Sequence, residues 1–244
     1  MSFSNPLIRR LDREPNAQSN NPAGLGSIVL KILFFLILTG VGGFVAIKNP
    51  FPDYQLHILI GACAVAVIFP IVGMFAKNLA FLLGSIYSFS QGIIVTFLSM
   101  QYASLYHGII PIAVGITVFI FLLTLTLYAT GIITVNQKFR SIVKTLFIGS
   151  ILISGIVFIS SFFTNTLTNI FLGNGAISIG ISVLMVIVAS ASMIIDFDTI
   201  AMTVKYGKDK RLEWFAAFGF TISILWLYLR VLELVAKIMG NSDN

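Results

Sequence analysis

SIGISVLMVIVASASMIIDFDTIAMTVK, residues 178–205, decides the fold. Eighteen residues pass from Ser178 before the first charge, and about 20 helical residues cross a hydrocarbon core of about 30 Å. The segment reads as a membrane-spanning helix, yet Asp196 and Asp198 sit inside it. Charge at membrane depth is costly and marks function. The same conflict recurs in LWLYLRVLELVAKI, residues 225–238, where Arg230 and Glu233 interrupt an apolar run.

Outward from these two segments the whole chain carries the same signature. Of 244 residues, 57% are hydrophobic and only 10% charged, which leaves too little polar surface for a soluble domain. Seven runs are long enough to span: 28–47, 56–76, 79–100, 108–130, 142–164, 178–205 and 213–238. The expected fold is an all-α bundle of seven transmembrane helices over 27–240. It is preceded by a flexible, polar segment (1–26) and followed by a short tail (241–244). Lys77-Asn78 leaves only a tight turn between the second and third spans. Pro70 and Pro111 kink or begin helices, which a bundle tolerates.

Charge orients the bundle. Arg9, Arg10, Arg13, Lys31, Lys77, Lys138, Arg140, Lys144, Lys205, Lys208, Lys210 and Arg211 fall on the side of the N-terminus, and only Lys48 and Lys237 on the other. The positive-inside rule predicts a cytoplasmic N-terminus and an external C-terminus. The net charge of +6 is therefore topological, and no nucleic-acid surface is expected. The first apolar run begins too late and is too long for a cleavable signal peptide, so it counts as the first helix.

Catalytic chemistry finds no footing. Cys63 is the sole cysteine, in an apolar run with no base beside it. His57 and His107 lie near the external helix ends as interfacial polar residues, without the spacing of a zinc site. Asp196 and Asp198 are about 200° apart around one helix, so they make no proton-sharing dyad, and Gly-x-Gly-Asp is absent. Neither a Gly-x-Ser-x-Gly elbow nor a nucleotide loop occurs. No enzyme, cofactor or resident metal is expected. Gly40, Gly42 and Gly43, and the run Ala189-Ser190-Ala191-Ser192, are places where helices can pack closely.

Ser192, Asp196, Thr199 and Thr203 recur at helical spacing, which turns Asp196 inward by pattern. Asp198 lies on the other side, free to snorkel toward the interface or to make a second contact. Arg230 and Glu233, three apart, can pair locally. The functional alternative is that Arg230 also reaches an aspartate of the sixth helix, so that Asp196, Asp198, Arg230 and Glu233 titrate as a coupled set.

The residues resemble the Bax-inhibitor family of seven-helix membrane proteins, and within it a bacterial YccA-like branch. The resemblance rests on NPLIRRL (5–11), LYATGIITVNQKFRSIV (127–143), DFDTI (196–200) and EWFAAFGFTISILWLYLRVLELVAKI (213–238). It implies a bundle around a central seventh helix and a pH-sensitive calcium leak governed by aspartates on helices six and seven. Carried across, the first aspartate is Asp198. The second falls on Arg230 in Leu227-Tyr228-Leu229-Arg230, with Glu233 three positions on, as though an acid–base pair had exchanged members. The resemblance then implies an Asp–Arg–Glu latch in place of a pair of aspartates. Depth bears on it: Asp198 lies seven residues from Lys205 and Arg230 seventeen from Glu213, about 10 Å and 25 Å along their helices. A bridge requires the seventh helix to start later or to tilt.

Two functions follow as expectations. The first is a leak for calcium or another cation through the bilayer, with Asp196, Asp198, Arg230 and Glu233 governing a closure on the cytoplasmic side. The second is a non-conducting protein that engages a membrane protease or quality-control partner through its basic N-terminal segment.

Overall fold

The computed structural model describes residues 21–48, 55–160, 173 and 175–242. Seven long helices follow one another: α1 (Leu25–Lys48), α2 (Gln55–Phe75), α3 (Ala80–Leu105), α4 (Ile109–Ala129), α5 (Gln137–Ser160), α6 (Ala176–Lys205) and α7 (Leu212–Ser242). A single 3-10 turn, Lys77–Leu79, joins α2 to α3, where the sequence allowed only a tight turn. Among the described residues there is no strand, only an isolated bridge between Pro22 and Asp209. In lipid each backbone N–H and C=O must be satisfied within the segment, and a helix does this at any apolar sequence. All seven helices are long and apolar enough to cross a membrane, and the outer surface is apolar to match, with Leu30, Ile37, Phe75 and Phe119 exposed.

Pro70 is accommodated inside α2, and Pro111 sits in the first turn of α4, where its missing N–H costs nothing. α4 starts from Gly108, whose φ of 78° is in the left-handed region that favours glycine. The seventh helix is longer than its apolar run: it begins at Leu212 and carries on past Ile238 to Ser242. Its 31 residues measure about 46 Å, more than a hydrocarbon core. Residues 1–20, most of the expected N-terminal segment, lie outside the described residues, as do 243–244. The described remainder of that segment is held: Ala23 donates to the Lys208 carbonyl at 2.8 Å and Lys210 to the Asn21 carbonyl at 3.1 Å, before α1 begins at Leu25.

α7 is the axis. It packs against α1, α3, α4 and α6, and over half of its spanning window is buried, more than in any other helix. Phe218, Leu227, Val231 and Leu232 are enclosed along its length. At the end where α1 begins, Trp214 meets Phe34, Phe35 and Phe81 edge to face, with ring centroids 4.7–5.8 Å apart. Such pairs add about 0.5–1.5 kcal/mol each beyond the area they bury.

The tightest seam joins α1 to α3, which run parallel. Their backbones touch: a Cβ on Gly42 would strike the carbonyl of Phe89, and one on Gly92 the carbonyl of Thr39. Gly43 faces the Thr96 hydroxyl, whereas Gly40 faces open space. The small-residue signal in the first helix thus resolves into two of its three glycines. In the sixth helix, Ala189 is the wholly buried member of the small-residue run.

Candidate functional site

The four charged residues singled out in the sequence fall into two groups at different depths. α6 and α7 are antiparallel, and two contacts set their register: Ser223 donates to Asp196, and Lys237 Nζ bonds Ser182 Oγ at 2.7 Å. Arg230 is therefore level with Ala189, and Asp198 with Thr221. Nine residues, about 13 Å along the axis, separate Arg230 from Asp198. The condition set by depth for a direct bridge, a late start to α7, is not met, because α7 begins at Leu212.

The first group lies near the end of the bundle where α1 begins and α6 ends. Asp196 accepts from the Ser223 hydroxyl of α7. Asp198 accepts from Arg140 Nη2 in the first turn of α5 and, at 3.3 Å, from the Tyr128 hydroxyl in the last turn of α4. One carboxylate thus ties three helices. Both partners lie in the segment LYATGIITVNQKFRSIV. The α4–α5 connection folds back and brings Tyr128 and Arg140, twelve residues apart, to the same acid. Tyr128 also stacks on Phe197, whose ring packs against Phe121 and Phe220. The opposed directions expected for Asp196 and Asp198 are realised: one faces α7, the other α4 and α5.

The second group lies nearer the other end and runs along one face of α7. Arg230 Nη1 donates to Glu233 Oε2 at 2.9 Å, and Lys237 Nζ to Glu233 Oε1 at 2.7 Å. Glu233 is shared by two cations, and Lys237 is buried. The guanidinium of Arg230 lies 5.6 Å from the centroid of the Trp226 ring, and its Nε has no hydrogen-bond partner among the described residues. The local Arg230–Glu233 pair read from i,i+3 spacing is present. In the sequence Lys237 stands only as one of the two charges opposite the N-terminal side; its spacing of four from Glu233 is the signal that pairs them.

A fourth ion pair, Lys31–Glu213, was also missed. Glu213, wholly buried in the first turn of α7, accepts from Lys31 Nζ, from the Ser27 hydroxyl at 2.6 Å and from the Gly24 backbone N–H at 2.7 Å. Lys31 also lies 5.0 Å from the Trp214 ring centroid. Glu213 caps the start of α1 from another helix, placing negative charge where the α1 dipole is positive. Among the described residues no three His, Cys, Asp or Glu side chains converge as a metal site would require.

A bundle of seven spanning helices around a buried seventh, with ion pairs inside it, defines a multi-pass membrane protein. The family model of Bax inhibitor 1 like proteins matches residues 5–240, nearly the whole chain, and the protein belongs to that family. Neither a curated protein nor a solved structure matches the chain.

Proposed function

We propose that the protein is a pH-sensitive leak for a cation, calcium by its family resemblance, in a bacterial inner membrane, with its N-terminus cytoplasmic and its C-terminus external. The observation that carries this reading is the Arg140–Asp198–Tyr128 junction, where one carboxylate at membrane depth holds α4, α5 and α6 together. An ion pair of this kind closes the bundle while Asp198 is charged. Protonation removes the charge that Arg140 binds and loosens the junction. Arg140 occupies the role that the family resemblance assigned to a partner on the seventh helix. Arg230, Glu233 and Lys237 form a second charged level about 13 Å further along, which a cation must also pass.

The test is calcium entry into proteoliposomes that contain purified protein, recorded from mildly acidic to mildly alkaline pH, beside Asp198→Asn and Arg140→Gln. A protein-dependent flux whose pH profile shifts in both variants supports the reading; flux no greater than in empty liposomes sinks it.

One observation favours a second reading, an interaction protein that engages a membrane protease. Asn21, Pro22 and Ala23 are docked on the α6–α7 turn, at the end of the bundle where α1 begins. Deleting residues 2–20 then abolishes co-purification of the partner and leaves flux unaltered.

A further inference from the structure

Buried threonines in these helices follow one habit. Thr39, Thr117, Thr124, Thr203 and Thr221 each donate to the carbonyl four residues back, at 2.7–3.0 Å. Ser88 of α3 does not. It is wholly buried, and its Oγ has no hydrogen-bond partner among the described residues. Three residues on, Gln91 is 9% exposed, and its Oε1 is likewise buried without a partner. The Gln91 side chain lies beside the Tyr87 hydroxyl, one turn back on the same helix.

The place of the two groups is fixed by their neighbours. Gly84 and Gly92, one turn either side of Ser88, face the Phe35 ring and the Thr39 carbonyl of α1. Tyr87, one turn before Gln91, meets Phe218 of α7 edge to face at 5.3 Å. Ser88 and Gln91 therefore point into the wedge between α1, α3 and α7. A buried, unsatisfied oxygen in an apolar surround is costly, and two of them in one wedge point to a ligand that satisfies both. Side chains at i and i+3 have Cβ atoms about 5–6 Å apart, a gap that one water bridges with two ordinary hydrogen bonds. The donors and acceptors are neutral, which suits water and lacks the charge that would hold a bare ion at this depth.

We propose that Ser88 and Gln91 hold an internal water between α1, α3 and α7. Its level is telling. Tyr87 is level with Phe218, so Gln91, one turn on, is level with Ile222–Ser223, where Ser223 binds Asp196 on the far side of α7. The site thus gives α7 a polar contact on the side opposite Asp196. A role for that water as a step on the leak path rests on the function proposed above; the site itself does not.

The test is radiolytic hydroxyl labelling of the unaltered protein in liposomes, where a radical formed from a bound water oxidises the side chain beside it. Tyr87, 3% exposed and one turn from Gln91, is expected to be labelled, and the label is expected to fall severalfold in Ser88→Ala and in Gln91→Leu. An unlabelled Tyr87 in the unaltered protein, or equal labelling in it and in both variants, overturns the proposal. A labelled Tyr87 in a protein without flux keeps the site and sinks the leak, and flux with an unlabelled Tyr87 does the reverse.

Discussion

Arg140 and Asp198 bond across α5 and α6, so a charge at the start of one spanning helix neutralises a charge near the end of its neighbour. The bond is more than a surface pair, because both side chains are largely enclosed and Tyr128 supplies a second donor from α4. Charging Asp198 strengthens the junction and protonating it weakens it. On the proposed function, Asp198→Asn keeps the shape and removes the charge, so the variant is expected to leak at neutral pH. Arg140→Gln gives the same constitutive flux from the other partner. If the ion pair is the pH-sensitive element, the double variant is no leakier than either single one, which calcium entry at two pH values reads directly.

Arg230 separates this account from the one suggested by family resemblance alone. Its bonds go to Glu233 and its ring contact to Trp226, about 13 Å from Asp198 along the axis. Arg230→Ala is therefore expected to alter the amount of flux while leaving the pH at half-maximal flux where it is. A shift in that pH equal to that of Arg140→Gln would restore a link between Arg230 and the aspartates.

Much of this architecture is legible in the sequence because the bilayer imposes one rule, an apolar helix of about 20 residues, and composition reveals it seven times. The site is legible by halves. Asp196, Asp198, Arg230 and Glu233 stand out because each interrupts an apolar run, and the i,i+3 pair follows from helical geometry. The partner of Asp198 does not. Arg140 is indistinguishable from a cytoplasmic anchoring charge in a one-dimensional count, and only the return of the chain through the α4–α5 turn brings it to Asp198. Lys31 and Glu213 were hidden in the same way, each a flanking charge until α1 and α7 are set side by side. Motif matching led to Arg230 because it aligns positions, whereas ion pairing is decided by depth.

The Lys31–Glu213 pair makes the stability of α1 depend on α7. Glu213→Gln leaves Lys31 without its carboxylate and weakens the bonds to Ser27 and Gly24. Breaking one side of a buried pair typically costs about 3–5 kcal/mol. Thermal unfolding in detergent should show a loss of that order for Glu213→Gln, with part of it recovered in Lys31→Met/Glu213→Gln. An additive double variant would mean that the two charges do not interact.

Gly92 and Gly40 form a matched pair of tests of the α1–α3 seam. A methyl group on Gly92 meets the Thr39 carbonyl and cannot be relieved by a rotamer change, because the obstacle is backbone. Gly92→Ala should push the helices apart and destabilise by about 1–3 kcal/mol or more. Gly40→Ala enters open space and should be neutral or slightly stabilising, since alanine favours helix. Equal unfolding temperatures for the two variants would mean that α1 and α3 do not pack at these glycines.

Glu233 carries the second charged level, and the order of its variants follows from the geometry. Its two carboxylate oxygens serve different cations, Arg230 and Lys237. Lys237→Met removes one cation and leaves Glu233 paired with Arg230, and the methionine fills much of the volume of the lysine stem. Glu233→Gln instead leaves two like charges on one helix face with no shared counter-charge, in a place where desolvation magnifies their cost. Glu233→Gln should therefore lower the unfolding temperature more than Lys237→Met, and adding Lys237→Met to Glu233→Gln should recover stability. Were Lys237→Met the more damaging of the two, Lys237 rather than Glu233 would be the centre of the group, held by Ser182 and its other neighbours.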